Sequence, residues 1–397
     1  MSISPGKQSP PYWSVSRLAL AATFTLIIFS LTAWYTQPHW QQFFQPPPKR
    51  TQSTASLNLD DLEALQLTDN NNRISEHFDL SNLTIPRDQI LSGGPGVDGI
   101  PSISSPQLAP ISEPQPYHPD TRVITVTINR TTHIYPIHIL NWHECVNDII
   151  DATPIAVFFC PLCDSVSVVD RRFKNQTLEF GISGLLHNSN VLLYDRQTKS
   201  LYSQLKLQAI SGPHAGQSLT HLSSFSITTY QQAQKQFPHA KIMTNDTGHH
   251  RNYSRNPYND YLQSKHIMFP VSNQALDNSA QSIGIHPKTP VIALLIPDKP
   301  TTSDSRTSTT KDNSTALAIS ITAIQQSPNH TLTHPTPLGP ITLSANPTTN
   351  TIAIINIPDG VIATHTLYFA WQAIHPNTQI ILPTPSPQTQ PATQPST

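Results

Sequence analysis

Charge is scarce in this sequence: Asp, Glu, Lys and Arg make up 12% of its 397 residues and their formal balance is −1, against roughly 25% charged residues in an ordinary domain. A chain so nearly neutral has no electrostatic means of holding nucleic acid or an acidic membrane surface. Cysteine is scarce too, with three residues, at positions 145, 160 and 163. Glycine numbers 13, four of them in Ser92-Gly93-Gly94-Pro95-Gly96-Val97-Asp98-Gly99-Ile100-Pro101. No Lys-Ser or Lys-Thr follows that stretch and no helical pattern opens after it, so it lacks what a phosphate-cradling loop needs. It reads as a tight turn or a close backbone approach. Thr, Ser, Asn, Gln and 38 prolines take the place of charge, and 37% hydrophobic residues are enough for a sizeable core in one large domain or two ordinary ones.

Residues 18–35, Leu18 to Tyr35, hold no charge, Gly or Pro, about the shortest helix that crosses a hydrocarbon core. Ala33-Trp34-Tyr35 is a poor cleavage site and a good interfacial aromatic anchor, which favours an uncleaved membrane span over a signal peptide. Lys7 and Arg17 precede it and the next cations are Lys49 and Arg50, so the positive-inside bias leaves residues 1–17 cytoplasmic and the rest extracytoplasmic. Residues 36–56 read as a Pro/Gln-rich tether, Leu57–Leu67 as a short amphipathic helix, 298–314 as a polar insertion and 383–397 as a Pro/Thr/Gln tail.

The domain between, 57–382, reads as β-rich α+β. Arg122–Ile128 alternates as a half-buried strand, Asn129-Arg130 turns, and His133–Ile137 returns, which predicts a hairpin. Apolar positions 139, 142, 145/146 and 149 fit one face of a short helix. Ile155–Phe159 is a β-branched and aromatic run ending at Cys160-Pro161-Leu162-Cys163, and Pro161 cannot continue a ladder, so both thiols belong at a turn off a buried strand. Ser165–Asp170 and Thr177–Ile182 read as strands, Ser183–Ser189 as a turn, and Tyr194–Gln204 as another hairpin, with Asp195-Arg196 as a turn holding a local ion pair. A fold of mainly antiparallel sheet with a few short helices follows. Thr229-Tyr230 with Phe237–Ile242 is echoed by Ala370-Trp371 with Ile374–Ile380, and Val291–Ile296 and Thr315–Ile321 echo the first strands. The echo hints at two related β units in tandem, 85–262 and 263–382, the second without thiols.

Several motifs occur together and in order: Gly94-Pro95 with Asp98-Gly99-Ile100-Pro101, Tyr135-Pro136-Ile137, Trp142-His143-Glu144, Val146-Asn147-Asp148, Cys160-Pro161-Leu162-Cys163, Phe180–Leu186, Tyr194-Asp195-Arg196, Ser203-Gln204, and Thr247-Gly248 with Arg251, Tyr253, Pro257-Tyr258 and Tyr261. In these the chain resembles the DUF3179 family of uncharacterised proteins over roughly residues 85–380. The resemblance implies a fold unit and no mechanism. Cys145 stands where the family pattern implies an aliphatic residue, His187 where it implies an aromatic, Tyr202 for Trp and His249 for Tyr.

Four residues, His143, Cys145, Cys160 and Cys163, supply enough soft or borderline ligands for zinc or copper(I). Metal handling at the cell envelope is therefore the first expectation. The second is thiol-disulfide exchange by Cys160 and Cys163, although Asp164–Val169 alternates like a strand where a thioredoxin-like site would open a helix. A zinc deaminase site ranks last, because it needs His-x-Glu and a Pro before the first Cys of the pair, and this chain has His143-Glu144 and Phe159 there. The thiols could also be buried apolar groups or a structural disulfide. Glu144, Arg251, Tyr253, Arg255 and Tyr258 form a further candidate set, holding an anionic or sugar ligand in a non-catalytic binding module or capping the sheet.

Overall fold

The structure, a computed structural model, describes residues 77–267, 283–298 and 314–383. The proposed anchor at 18–35, the tether, the helix at 57–67, the body of the insertion and nearly all of the tail lie outside these residues. Among the described residues no helix is long and apolar enough to cross a membrane.

The fold is β-rich, with antiparallel and mixed sheets and a few short helices. Its organising element is the antiparallel set Cys145–Ile150, Thr153–Cys160 and Ser165–Asp170. Side chains alternate across a strand, and both faces of Thr153–Cys160 are covered. Ile155, Val157 and Phe159 enter one core with Ile124, Tyr135, Ile139 and Ile227. Ala156, Phe158 and Cys160 enter another with Phe180, Leu193, Tyr202 and Trp371. A strand buried on both sides has no polar alternation, which is why its sequence is one continuous apolar run. The second core is closed by a five-stranded sheet that includes Phe180–His187, Asn190–Asp195 and Leu201–Ser203.

The hairpin of Arg122–Ile128 and Thr131–Pro136 forms as expected, with Asn129 left-handed at its turn. The helix after it is shorter than the spacing predicts: it spans Ile137–His143, Glu144 takes a left-handed φ of 57°, and Cys145–Ile150 is a strand. Complete burial of positions 145–148 makes strand and helix indistinguishable by periodicity, and the Thr153–Cys160 partner decides for the strand. Residues 183–187, expected as a turn, continue the Phe180–His187 strand through an irregularity between Ile182 and Leu185. Asp195 caps its own turn through Thr198, whereas Arg196 pairs with Asp98, at 2.8 Å, in place of the local ion pair.

Two sets of four strands share one pairing scheme. Phe225–Thr229, Arg122–Ile128 and Thr131–Pro136 are successively antiparallel, and Lys241–Met243 joins in parallel. Ile362–Leu367, Pro290–Pro297, Ser314–Ser320 and Gln379–Ile381 repeat that order and those directions. Register agrees as well: Ile227, Ile124 and Tyr135 are opposed in the first set, and His365, Ile292 and Ile319 in the second. Ser165–Asp170 extends the second set, through Val166 opposite His365, while Thr351–Asn356 extends the first, through Ile352 opposite Ile227. This register puts Tyr230 with Tyr368, each the first residue of its helix, and Pro238 with Pro376. The tyrosine thus shifts relative to the echo seen in sequence, which matched Tyr230 to Trp371.

The glycine-rich stretch lies against the Phe180–His187 strand, where Gly93 N–H donates to the Gly184 carbonyl and Asp98 N–H to that of Ile182. A Cβ on Gly184, whose φ is +77°, would be driven into the Pro95 carbonyl oxygen and the Gly96 backbone. Gly184→Ala is expected to destabilise the fold by about 3 kcal/mol or more, measured by urea unfolding. Gly248→Ala, also at positive φ (+75°) but with nothing within 4 Å of its Cβ position, is expected to cost only the backbone strain, about 1–2 kcal/mol.

Candidate functional site

The two cysteines of Cys160-Pro161-Leu162-Cys163 sit where the Thr153–Cys160 strand turns into Ser165–Asp170. Cys163 N–H closes the turn on the Cys160 carbonyl at 3.2 Å, and Asp164 takes the left-handed φ of 45° that reverses the chain. Arg122 grips the Asp164 carboxylate with two bonds of 3.0 and 2.9 Å, holding that carboxyl below its usual range against the effect of burial. His365 Nδ1–H donates to the Asp164 carbonyl at 2.7 Å and Leu367 N–H to that of Cys163 at 2.8 Å. The turn is therefore held by residues far away in sequence.

Both sulfurs point at the same acceptor, the Ser189 carbonyl oxygen, 3.9 Å from Cys160 Sγ and 3.2 Å from Cys163 Sγ. Behind them lies a buried polar cluster in which Ser165 Oγ–H donates to Gln204 Oε1 (2.7 Å) and Asn190 Nδ2 donates to Gln204 Oε1 (2.8 Å) and Ser165 Oγ (3.2 Å). Gln204 Nε2 closes the network on the Phe158 and Ser165 carbonyls, at 3.2 and 3.1 Å. A buried amide cluster satisfied this fully is rigid and fixes what packs on it.

The thiols are inequivalent. Burial opposes the Cys160 thiolate, but hydrogen bonds from Cys163 and from the N–H groups of Val191, Cys163 and Leu162 outweigh it and hold this thiol below its ordinary pKa. Burial, and the proton that Cys163 shares with Cys160, push the Cys163 thiol well above. Glu144 is buried beside them; burial first, then the charge of Cys160, raise its carboxyl well above the usual range. Tyr258 O–H donates to Glu144 Oε1 at 3.4 Å.

The other two expected metal ligands do not converge with the turn sulfurs, although Cys145 lines the same core as they do. His143 donates from Nδ1 to the Pro101 carbonyl and accepts at Nε2 from Tyr253 O–H, both at 2.7 Å, so its lone pair is already engaged. Cys145 Sγ lies 3.8 Å from the Phe180 carbonyl and 3.9 Å from Asn147 Nδ2, and burial pushes its thiol up. Among the described residues, no three His, Cys, Asp or Glu side chains converge where a metal ion would sit. His187 is also apart, its ring nitrogens 2.8 Å from Ser203 Oγ and 3.2 Å from Gln89 Oε1.

The Arg/Tyr loop forms a hydrogen-bonded cap over this region. Tyr253 holds His143, Arg255 accepts from Trp142 Nε1 through its backbone carbonyl (3.1 Å), Asn256 Oδ1 accepts from Asn141 Nδ2 (3.2 Å), and Tyr261 O–H donates to the Leu162 carbonyl (3.0 Å). Lys288 Nζ, 3.6 Å above the Tyr261 ring, clamps the end of this segment through the Tyr261 and Ser264 carbonyls. Arg251 remains exposed, donating to the His250 carbonyl next to it. Sequence reasoning missed the roles of Ser165, Ser189, Asn190 and Gln204. Their signals were polarity inside an otherwise apolar sequence, as at Asn188-Ser189-Asn190, and, for Gln204, its place in the Ser203-Gln204 motif.

The family model described as a protein of unknown function (DUF3179) matches residues 97–378. The chain belongs to the DUF3179 family. No curated protein and no solved structure matches it. The DUF3179 span contains Pro101, the Trp142-His143-Glu144 segment, both thiols of the turn, the amide cluster and the whole cap.

Buried imidazoles, among them His143, His187 and His221, are expected to make this DUF3179 domain acid-sensitive. Burial, with His249 and Arg251 nearby, lowers His143 to about 4; burial, with Lys206 and His375 nearby, lowers His187 to about 3. Both are kept neutral by the fold and bind protons more readily unfolded, at the ordinary 6.5. Their stabilising contribution is whole above pH 6.5 and is lost as pH falls through about 4 for His143 and about 3 for His187. The urea midpoint is expected to drop steadily from pH 6.5 to pH 4, and His143→Gln, which cannot protonate, to flatten the slope. An unchanged slope in that variant would show that His143 is not a source of it.

Proposed function

We propose that Cys160 and Cys163 form a dithiol-disulfide exchange centre in a membrane-anchored, extracytoplasmic protein held by residues 18–35. The observation that carries this reading is the placing of both sulfurs at one turn, with the Ser189 carbonyl 3.2 Å from Cys163 Sγ to accept its S–H, while Cys163 and the N–H groups of Val191, Cys163 and Leu162 favour the thiolate at Cys160. An attacking thiolate paired with a protonated partner that closes the ring is the chemistry such an exchange needs. Both sulfurs are buried, so the cap would have to open before Cys160 attacks one sulfur of a substrate disulfide and releases the other as a thiolate, which takes the proton of Cys163. Cys163 would then displace the second substrate sulfur, leaving Cys160 and Cys163 joined and the substrate reduced by two electrons.

A comparison within the chain supports the assignment. We read the two equally paired strand sets as two related β units in tandem. By register, Cys160 opposite Ser165 corresponds to Asn346 opposite Thr351, and Cys145 opposite Phe158 to Thr331 opposite Ser344. Cys160-Pro161-Leu162-Cys163-Asp164-Ser165 thus lies on Asn346-Pro347-Thr348-Thr349-Asn350-Thr351. Proline and the left-handed residue recur, with φ of 45° at Asp164 and 49° at Asn350. The thiols do not recur, so the turn can be built without them and its geometry is no reason for their presence.

Selective alkylation of the purified, reduced full chain, read by peptide mass, tests the proposal. Cys160 is expected to react at a lower pH than Cys163, Cys163→Ser to trap a mixed disulfide with oxidised glutathione, and Cys160→Ser to trap none. Stoichiometric copper or zinc retained through dialysis and lost in Cys160→Ser would replace this reading with metal binding. Equal inertness of both thiols, with no metal retained, would leave them as packing groups.

A further inference from the structure

We propose that the Asn259–Gln263 helix is a cover that lifts from the Cys160–Cys163 pair to admit a substrate disulfide, and that Lys288 is the latch holding it shut. The inference rests on the exchange reading above, which supplies the need for access.

Its first support is position. The helix turns Asn259, Asp260 and Gln263 to solvent and buries Tyr261 in the core that both thiols line, with Tyr258 and Leu262 packed against the same core. Tyr261 O–H donates at 3.0 Å to the carbonyl of Leu162, the residue before Cys163. On this side one short helix stands between the thiol turn and solvent.

The second support is the fastening. Lys288 Nζ donates to the Tyr261 carbonyl at 2.6 Å and to the Ser264 carbonyl at 2.9 Å, and lies 3.6 Å from the centre of the Tyr261 ring. These ties converge on the residue that reaches the thiol turn. Lys288 is buried, and among the described residues no carboxylate pairs with it. An ammonium held by carbonyls loses its hydration when the helix closes and regains it when the helix lifts, so the cost of breaking its bonds is partly offset. A buried carboxylate partner would make the same break far more costly.

The third support is a comparison within the chain. His118-Pro119-Asp120-Thr121 and His286-Pro287-Lys288-Thr289 form the same turn. Asp120 and Lys288 N–H donate to the histidine Nδ1, at 3.2 and 3.0 Å, and each threonine N–H donates to the histidine carbonyl at 2.9 Å. The threonine and proline carbonyls accept from Tyr230 and Gln231 N–H in the first turn and from Tyr368 and Phe369 N–H in the second. Asp120 is exposed, so the turn forms without a buried cation. The lysine answers to the helix it fastens and not to its own turn.

The test is alkylation of the purified, reduced full chain with iodoacetamide, in urea below the unfolding transition, read by peptide mass at each cysteine. Cys145 lines the same core, with its sulfur turned to the Phe180 carbonyl, and reports global unfolding. In the native chain the Cys160 rate is expected to be nearly independent of urea, the mark of local opening, while the Cys145 rate climbs with it. Lys288→Met, which leaves two carbonyls without their donor, is expected to raise the Cys160 rate roughly 10- to 100-fold with its urea dependence still flat. Lys288→Arg should recover part of the native rate, and Tyr261→Phe should raise it roughly 5-fold. Mixed-disulfide formation with oxidised glutathione should quicken by the same factors, because both reagents wait on one opening. If the Cys160 rate climbs with urea in step with Cys145, there is no local cover and the inference is overturned. It is overturned equally if Lys288→Met, or Tyr261→Phe where the first variant fails to fold, leaves the Cys160 rate as it was, whatever happens to the urea midpoint. If Cys160 opens as expected but traps no mixed disulfide in Cys163→Ser, the exchange reading falls, and with it the purpose assigned to the opening.

Discussion

Burial of the Thr153–Cys160 strand on both faces is the constraint from which the rest of the structure follows. It carries the chain, ladder and turn together, into the interior between two cores. A hairpin turn is ordinarily at the surface, where water satisfies its polar groups. Here protein groups must do so: Arg122, then His365 and Leu367 of the Ile362–Leu367 strand, and the Ser165, Asn190 and Gln204 cluster. The thiols are thus held by a network whose members come from four widely separated stretches of chain.

The same burial sets the electrostatics. Removing water disfavours every charged form, and specific hydrogen bonds then decide which groups escape that penalty. Cys160 escapes it because amide donors face its sulfur; Cys163, Cys145 and Glu144 do not, and each keeps its proton more tightly than usual. His143 pays the opposite way, staying neutral between a carbonyl and a tyrosine hydroxyl. One dry environment therefore holds one thiol below its ordinary pKa beside groups held above theirs.

The legible parts of the sequence were those with local causes. Alternation gave the Arg122–Pro136 hairpin, and Pro161 after an apolar run placed the Cys-x-x-Cys at a turn. The helix end at His143 and the strand through Gly184 were not legible, because complete burial removes the polar positions that distinguish one period from another. The gathering of His143 and Cys145 with the turn thiols was expected from proximity in sequence alone. His143 is held between the Pro101 carbonyl and Tyr253, and Cys145, though it lines the same core as the turn thiols, turns its sulfur to the Phe180 carbonyl, so proximity in sequence did not become a shared site.

What the sequence determined by itself is a β-rich chain with a strand buried on both sides, two thiols three residues apart at its end, and the motifs of one family, since each depends on residue type and near neighbours. Tertiary structure alone decided which groups face those sulfurs. Ser189, Gln204 and Glu144 reach the site from separate elements, and their meeting depends on long-range strand register, which no local pattern encodes. The pairing order common to the two strand sets was likewise faint in residues and plain in register, because pairing geometry constrains backbone positions while leaving most side chains free to differ.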